Sequence, residues 1–134
     1  MSHFKLNIYT PNGIVVEKLS CDELTIPTEM GRINVLKGHT HLISELDTGI
    51  LTAKVGSGSR HFTMAGGLCK ILGDTVTILA KTSEKPSDID LERAKSALSK
   101  AESRIKSGVP GVEQIKFQRK VERAKNRIKV ANLK

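Results

Sequence analysis

Aromatic side chains are scarce in this chain: three Phe, one Tyr and no Trp among 134 residues. That is too few to build the stacking platforms on which single-stranded nucleic acid is held. No run of 18 or more apolar residues occurs, and the opening MSHFKLNIYT has no basic segment followed by an apolar one, so neither a membrane span nor an export signal is expected. A mitochondrial transit peptide would be rich in Arg and Ser and poor in acids, whereas strand-like alternation here begins at Phe4. The expectation is a bacterial or organelle-encoded protein working on the cytoplasmic side. Cysteine is limited to Cys21 and Cys69, far apart and outside any close CxxC pair, which reads as two buried thiols. His39 and His41 form an HxH and His61 stands alone, but no acidic or Cys partner lies close in sequence, so no metal site is expected. Catalytic signatures are missing as well. No serine sits in G-x-S-x-G, no G-x-x-x-x-G-K loop exists, and the carboxylates are scattered, so the chain reads as non-enzymatic by itself.

What is present is a series of short strand patterns centred on residues 27–51, PTEMGRINVLKGHTHLISELDTGIL. Two apolar runs there, 33–36 and 42–46, are flanked by turn residues and must fold against other short strands. Before them, Phe4, Leu6 and Ile8 alternate with Lys5, Asn7 and Tyr9; a turn at 10–13 follows, then strands at 14–19 and 23–26, the latter stopped by Pro27. After them, strands at 50–55 and 60–65 are joined by 56–59, and strands at 68–72 and 75–80 by Gly73-Asp74. Gly66-Gly67 reads as a bulge or a close backbone approach. Strands at this spacing predict a sandwich or a barrel.

The period changes after Lys85-Pro86. Ser87 is the expected cap, with Asp88 and Asp90 in the first turn of a helix whose stripe is Leu91, Ala94, Leu98, Ala101 and Ile105. Residues 107–111 break it, and Phe117, Val121, Ala124, Ile128 and Ala131 repeat the step, predicting an antiparallel two-helix hairpin. Its alanine-rich seam buries little area, so the hairpin is expected to be marginal alone. Charge divides the chain at the same place. Residues 1–84 carry eight Lys/Arg against eight Asp/Glu, whereas residues 85–134 carry fourteen against six, the whole net charge of +8. Lys116, Arg119, Lys120, Arg123 and Arg127 recur at helical spacing, and three of these arginines are four apart, a basic row suited to a polyphosphate or an acidic protein surface. On charge alone, a basic nucleic-acid-binding protein with a β-barrel and a helical arm is the alternative.

The order of several short motifs resembles the epsilon subunit of the F-type, rotary ATP synthases over essentially the full chain. They are TPNGIVV at 10–16, GRINVLKGH at 31–39, D-x-G-I-L at 47–51, MAGG at 64–67, TVTILA at 75–80 and IDLERA at 89–94. The resemblance implies an N-terminal ten-stranded β-sandwich, residues 1–84, followed by a C-terminal antiparallel two-helix hairpin, residues 85–134. It also implies a non-catalytic rotor-stalk subunit of a proton-translocating complex, peripheral on the cytoplasmic face of the bacterial inner membrane and reaching the membrane only through that complex. The implied partners are the gamma subunit, the c-ring and the alpha and beta catalytic subunits, with no nucleic acid. The sandwich would bind gamma and rest on the ring, with Arg32, Gly38 and His39 at the stalk and ring contacts. Lys37, His41 and Arg32 depart from the family's frequent residues, Arg32 standing where an acid is common. The helices would inhibit ATP hydrolysis through Lys116, Arg119, Lys120, Arg123 and Arg127. No cofactor is required, but some bacterial members bind ATP between the helices as a regulatory ligand. The matching positions here are Glu84, Ile89, Asp90, Arg93, Ala94, Arg123 and Arg127, with Lys100 in place of an arginine.

Overall fold

The structure is a computed structural model that describes every residue except 1, 2, 37, 39, 40, 109 and 134, and leaves aside the side chain of Val112. Two compact units divide it, residues 1–85 and 86–134. In the first, eight strands follow one another: β1 (Phe4–Thr10), β2 (Gly13–Cys21), β3 (Glu23–Thr28), β4 (Gly31–Leu36), β5 (Leu42–Glu45), β6 (Gly49–Val55), β7 (Gly58–Leu72) and β8 (Thr75–Thr82).

Alternation builds the two layers. Phe4, Leu6 and Ile8 of β1, Leu24 and Ile26 of β3, Leu51 and Ala53 of β6, Phe62 and Met64 of β7, and Val76, Ile78 and Ala80 of β8 all point inward into one buried cluster. Each large side chain so removed from water contributes about 1.5–3 kcal/mol. The path runs β2-β1-β8-β7-β6-β3-β4, with β5 also pairing β7. All neighbours are antiparallel except β1 and β8, which run parallel from Lys5 opposite Thr75 to Tyr9 opposite Leu79.

One strand serves both layers. The first half of β7 pairs with β6 up to Met64, and its second half pairs with β8 on one side and β5 on the other. Between the halves Gly66 and Gly67 adopt φ of 74° and 118°, a bend open to glycine. Gly67 also lies against β8, where an added Cβ would meet the Leu79 carbonyl oxygen, so the expected close approach is real. The two apolar runs of the central stretch part company: β4 joins β3 in one layer, β5 joins β7 in the other.

Ten strands were implied and eight form among the described residues. Two of the eight are interrupted. Besides the β7 bend, the register of β2 on β1 shifts between Leu6 opposite Leu19 and Ile8 opposite Val16, where Lys18 takes φ 52° and donates its N–H to Asn7 Oδ1 at 2.8 Å. Divided at these irregularities, the same backbone gives ten segments of the same sandwich. Pro27 does not stop β3. That strand pairs β6 only over residues 23–25, so Pro27 sits where no ladder donor is needed on that side, and its carbonyl accepts from Asp47 N–H at 3.1 Å.

In the second unit a short 3-10 turn, Pro86–Asp88, precedes α1 (Leu91–Lys106) and α2 (Gly111–Ala131). The cap is Asp90 and not Ser87. Pro86 starts its own turn, closed by Ile89 N–H on the Pro86 carbonyl, and the first extended residue after it is Asp90, whose Oδ1 accepts from Arg93 N–H at 3.1 Å. Gly108, at φ 80°, ends α1. Ala94, Ala101 and Ala124 are buried, as the stripes required, and so is Val130, which the stripes omitted.

Candidate functional site

Outward-facing residues of the β5-β7-β8-β1-β2 layer carry an unexpected apolar row. Leu68 stands opposite Leu79, Leu79 beside Tyr9, and Tyr9 opposite Ile14, so four large side chains cross four strands in line. Leu68, Leu79 and Ile14 are 45%, 53% and 63% exposed, too open for core and too contiguous for scattered surface residues. Ile43 of β5, 68% exposed, lies diagonally beside Leu68. Tyr9 donates its hydroxyl to Glu17 at 3.1 Å, and partial desolvation followed by that carboxylate holds its pKa above the ordinary value. The row was legible in principle, since these strands have apolar residues at both odd and even positions.

The opposite outer face is polar. Thr25 bonds Asn34 at 3.1 Å, and Thr52 Oγ1 lies 3.0 Å from His61 Nδ1, so the isolated histidine has a cross-strand role. Arg32 of β4 is exposed, and its guanidinium donates to the Ile50 carbonyl at 3.3 Å. Gly38 takes φ 83°, His41 is exposed, and His39, the other half of the HxH pair, lies outside the described residues. Among the described residues no three His, Cys, Asp or Glu side chains cluster to hold a metal. Burial pushes the thiols of Cys21 and Cys69 up to about 11, which makes both inert near neutral pH.

Glu84 is fixed through its backbone. Its N–H donates to Thr63 Oγ1 at 2.8 Å and its carbonyl accepts from Thr63 N–H at 2.9 Å, clipping the end of the sheet unit to buried Thr63. Of the remaining nucleotide candidates, Ile89 and Ala94 are buried, Asp90 is committed to capping, and Arg93 and Arg123 are exposed. Arg127 is half-buried. Near the hairpin tip Arg104 lies over the Phe117 ring at 5.9 Å and Lys120 over the same ring at 5.3 Å. That contact sets Arg104 of α1 beside Phe117 of α2. Eleven residues back along α1 and eleven forward along α2, Arg93 comes level with Ile128, and Ala94 with Arg127. By this count Arg93 and Arg127 lie toward the open end of the hairpin, Arg123 about midway along it, and Lys116, Arg119 and Lys120 nearer its tip.

The family descriptions that match are "ATP synthase, Delta/Epsilon chain, beta-sandwich domain" over residues 3–86 and "ATP synthase, Delta/Epsilon chain, long alpha-helix domain" over residues 87–132. The chain belongs to the ATP synthase epsilon family. It is 34% identical over 134 residues to the ATP synthase epsilon chains of Staphylococcus aureus strains JH9 and N315, covering 100% of both chains in each case. Among solved structures, a chain of the Euglena gracilis mitochondrial ATP synthase, OSCP/F1/c-ring, superposes with TM-score 0.81 at 21% identity, over 94% of this chain and 79% of that one. A chain from the central stalk and c-ring of Tetrahymena thermophila mitochondrial ATP synthase gives 0.53 at 16% identity, over 63% and 67%. As an epsilon-family protein the chain is a non-catalytic stalk subunit of the ATP synthase. The comparisons support the ATP synthase reading and not the nucleic-acid alternative. No helix among the described residues is long and apolar enough to cross a membrane.

Proposed function

We propose that this subunit transmits rotation by seating the apolar row Leu68, Leu79, Tyr9 and Ile14 on the gamma subunit, with Arg32, Gly38 and His39 toward the c-ring, on the cytoplasmic face of a bacterial inner membrane. The observation that carries this is the row itself. An exposed band of four apolar side chains across a sheet is costly in water and is relieved by covering it with a protein partner. The C-terminal hairpin restrains ATP hydrolysis through Lys116, Arg119, Lys120, Arg123 and Arg127, meeting acidic loops of the alpha and beta subunits. Five exposed or half-exposed cations on one helix, in a unit whose alanine seam holds it weakly, support that reading. Leu79→Asp in the full chain is expected to abolish binding to a synthase core purified without this subunit, and equal binding of the variant would remove the apolar row from the stalk contact.

A second reading concerns ATP. Arg93 and Arg127 lie toward the open end of the hairpin with Arg123 one turn nearer the tip on α2, and each charge-assisted phosphate contact is worth about 1.5–3 kcal/mol. ATP bound there selects the folded hairpin over an extended, inhibitory form, because only the folded form assembles the site. Titration calorimetry of the isolated subunit tests it: Arg93→Ala or Arg123→Ala is expected to weaken ATP binding about tenfold. Absence of heat at millimolar ATP would leave the hairpin as a basic arm only.

A further inference from the structure

At the edge of the apolar row the surface turns inward. A cleft of ≈ 330 Å³ is lined by Glu29, Glu45, Leu46, Gly66, Gly67, Leu68 and Lys81. Its back is the β7 bend, where neither glycine carries a side chain; the Lys81 stem fills the space a Gly66 Cβ would need, coming to 3.0 Å of it. Two acids stand at its mouth. The backbone forces them together: Glu29 N–H donates to the Glu45 carbonyl at 3.1 Å, Leu46 bridges to Thr28, and Leu46 N–H donates to the Gly67 carbonyl at 2.9 Å. The β3–β4 turn that carries Glu29 is itself rigid, since Thr28 Oγ1 accepts from Met30 N–H at 3.2 Å and donates to the Gly31 carbonyl at 2.6 Å.

Like charges held this close repel unless a proton or a cation comes between them. Hydrogen bonding to Glu45, then its charge, holds the Glu29 carboxyl above the usual range, with Asp47 adding to it. Lys81 lines the same cleft, but among the described residues no ion pair joins it to either acid. The cleft thus has two acidic side chains in its lining beside the apolar Leu46 and Leu68.

From this geometry we infer that the cleft receives an arginine of the protein that covers the apolar row, its guanidinium set between Glu29 and Glu45. The chemistry matches in each part. A guanidinium offers donors on two edges, enough for two carboxylates, and its methylene stem lies on leucine walls as well as any apolar side chain. Continuity supports a single occupant, because Leu68 belongs to both cleft and row, and Glu45 stands opposite Leu68 in the strand register. The inference rests on the stalk reading above and adds to it the identity of one partner residue and the point where it binds.

The test uses the full chain and a synthase core purified without it, with the dissociation constant measured at low and at physiological salt. Glu29→Gln/Glu45→Gln keeps shape and hydrogen-bonding capacity and relieves repulsion, so folding is not threatened. Leu79→Ser is the control for the row. The double variant is expected to bind about tenfold weaker or more, with a flatter salt dependence, alongside a weakened Leu79→Ser. Unchanged binding by the double variant with a weakened Leu79→Ser overturns the cleft inference and leaves the stalk face standing. Unchanged binding by both overturns the stalk face and the cleft together.

Discussion

Gly67 has no room for a side chain: at φ 118° a Cβ would lie 2.0 Å from the Leu79 carbonyl oxygen and 2.8 Å from Ala80 Cα. Neither obstacle is a flexible side-chain end, so Gly67→Ala is expected to destabilise the sheet unit by about 3 kcal/mol or more, read as a lowered urea midpoint. Glu29 makes the opposite prediction. Its proton is held more tightly folded than unfolded, so its favourable contribution is complete below the unfolded pKa and is lost as pH rises through the folded one. Glu29→Gln is therefore expected to raise the urea midpoint at neutral pH, with the gain shrinking as pH falls through the carboxylate range. The Gly66-Gly67 pair was legible in sequence because consecutive glycines inside a strand pattern have few other uses. The Glu29 and Glu45 pair was not, since sixteen residues separate them and only the crossing of the chain from one layer to the other brings them together.

Helix α1 shows where local signals compete. Ser87 and Asp90 are both capping residue types, and the choice between them falls to backbone geometry that Pro86 imposes and that side-chain chemistry does not reveal. Asp90→Ala is expected to cost the hairpin about 1 kcal/mol, measured as lost helicity by circular dichroism in the intact chain. Ala94, Ala101 and Ala124 leave the seam with small buried contacts, whereas β7 and β8 bury Phe62, Met64, Ile71, Val76 and Ile78. Amides of α1 and α2 are accordingly expected to exchange with solvent faster than those of β7 and β8, and equal protection would contradict a weakly held hairpin. The stripes themselves were legible, being local repeats. Val130 escaped them because it flanks the stripe position of Ala131, and the apolar row escaped because strand alternation says which residues share a face, not which face is covered.

For the molecule as a whole, charge divides the sequence at 84/85, and the structure forms two compact units, 1–85 and 86–134. Glu84 sets a practical limit on dividing them, since its two backbone bonds to Thr63 belong to the sheet unit. A chain ending after Lys85 is expected to stay folded and join the stalk while losing control of hydrolysis; its unfolding, or retention of that control, would count against separate roles. The parallel pairing of β1 with β8 has a further consequence, during synthesis. Strand β1 lies between β2 and β8, so its inner edge stays open until residues 75–79 have left the ribosome. Sheets closed by such distant partners form slowly, and an unpaired edge is where other chains attach. The sandwich can therefore close only once nearly all of it has been made, and the hairpin, whose contacts are local, is the part still emerging when it does.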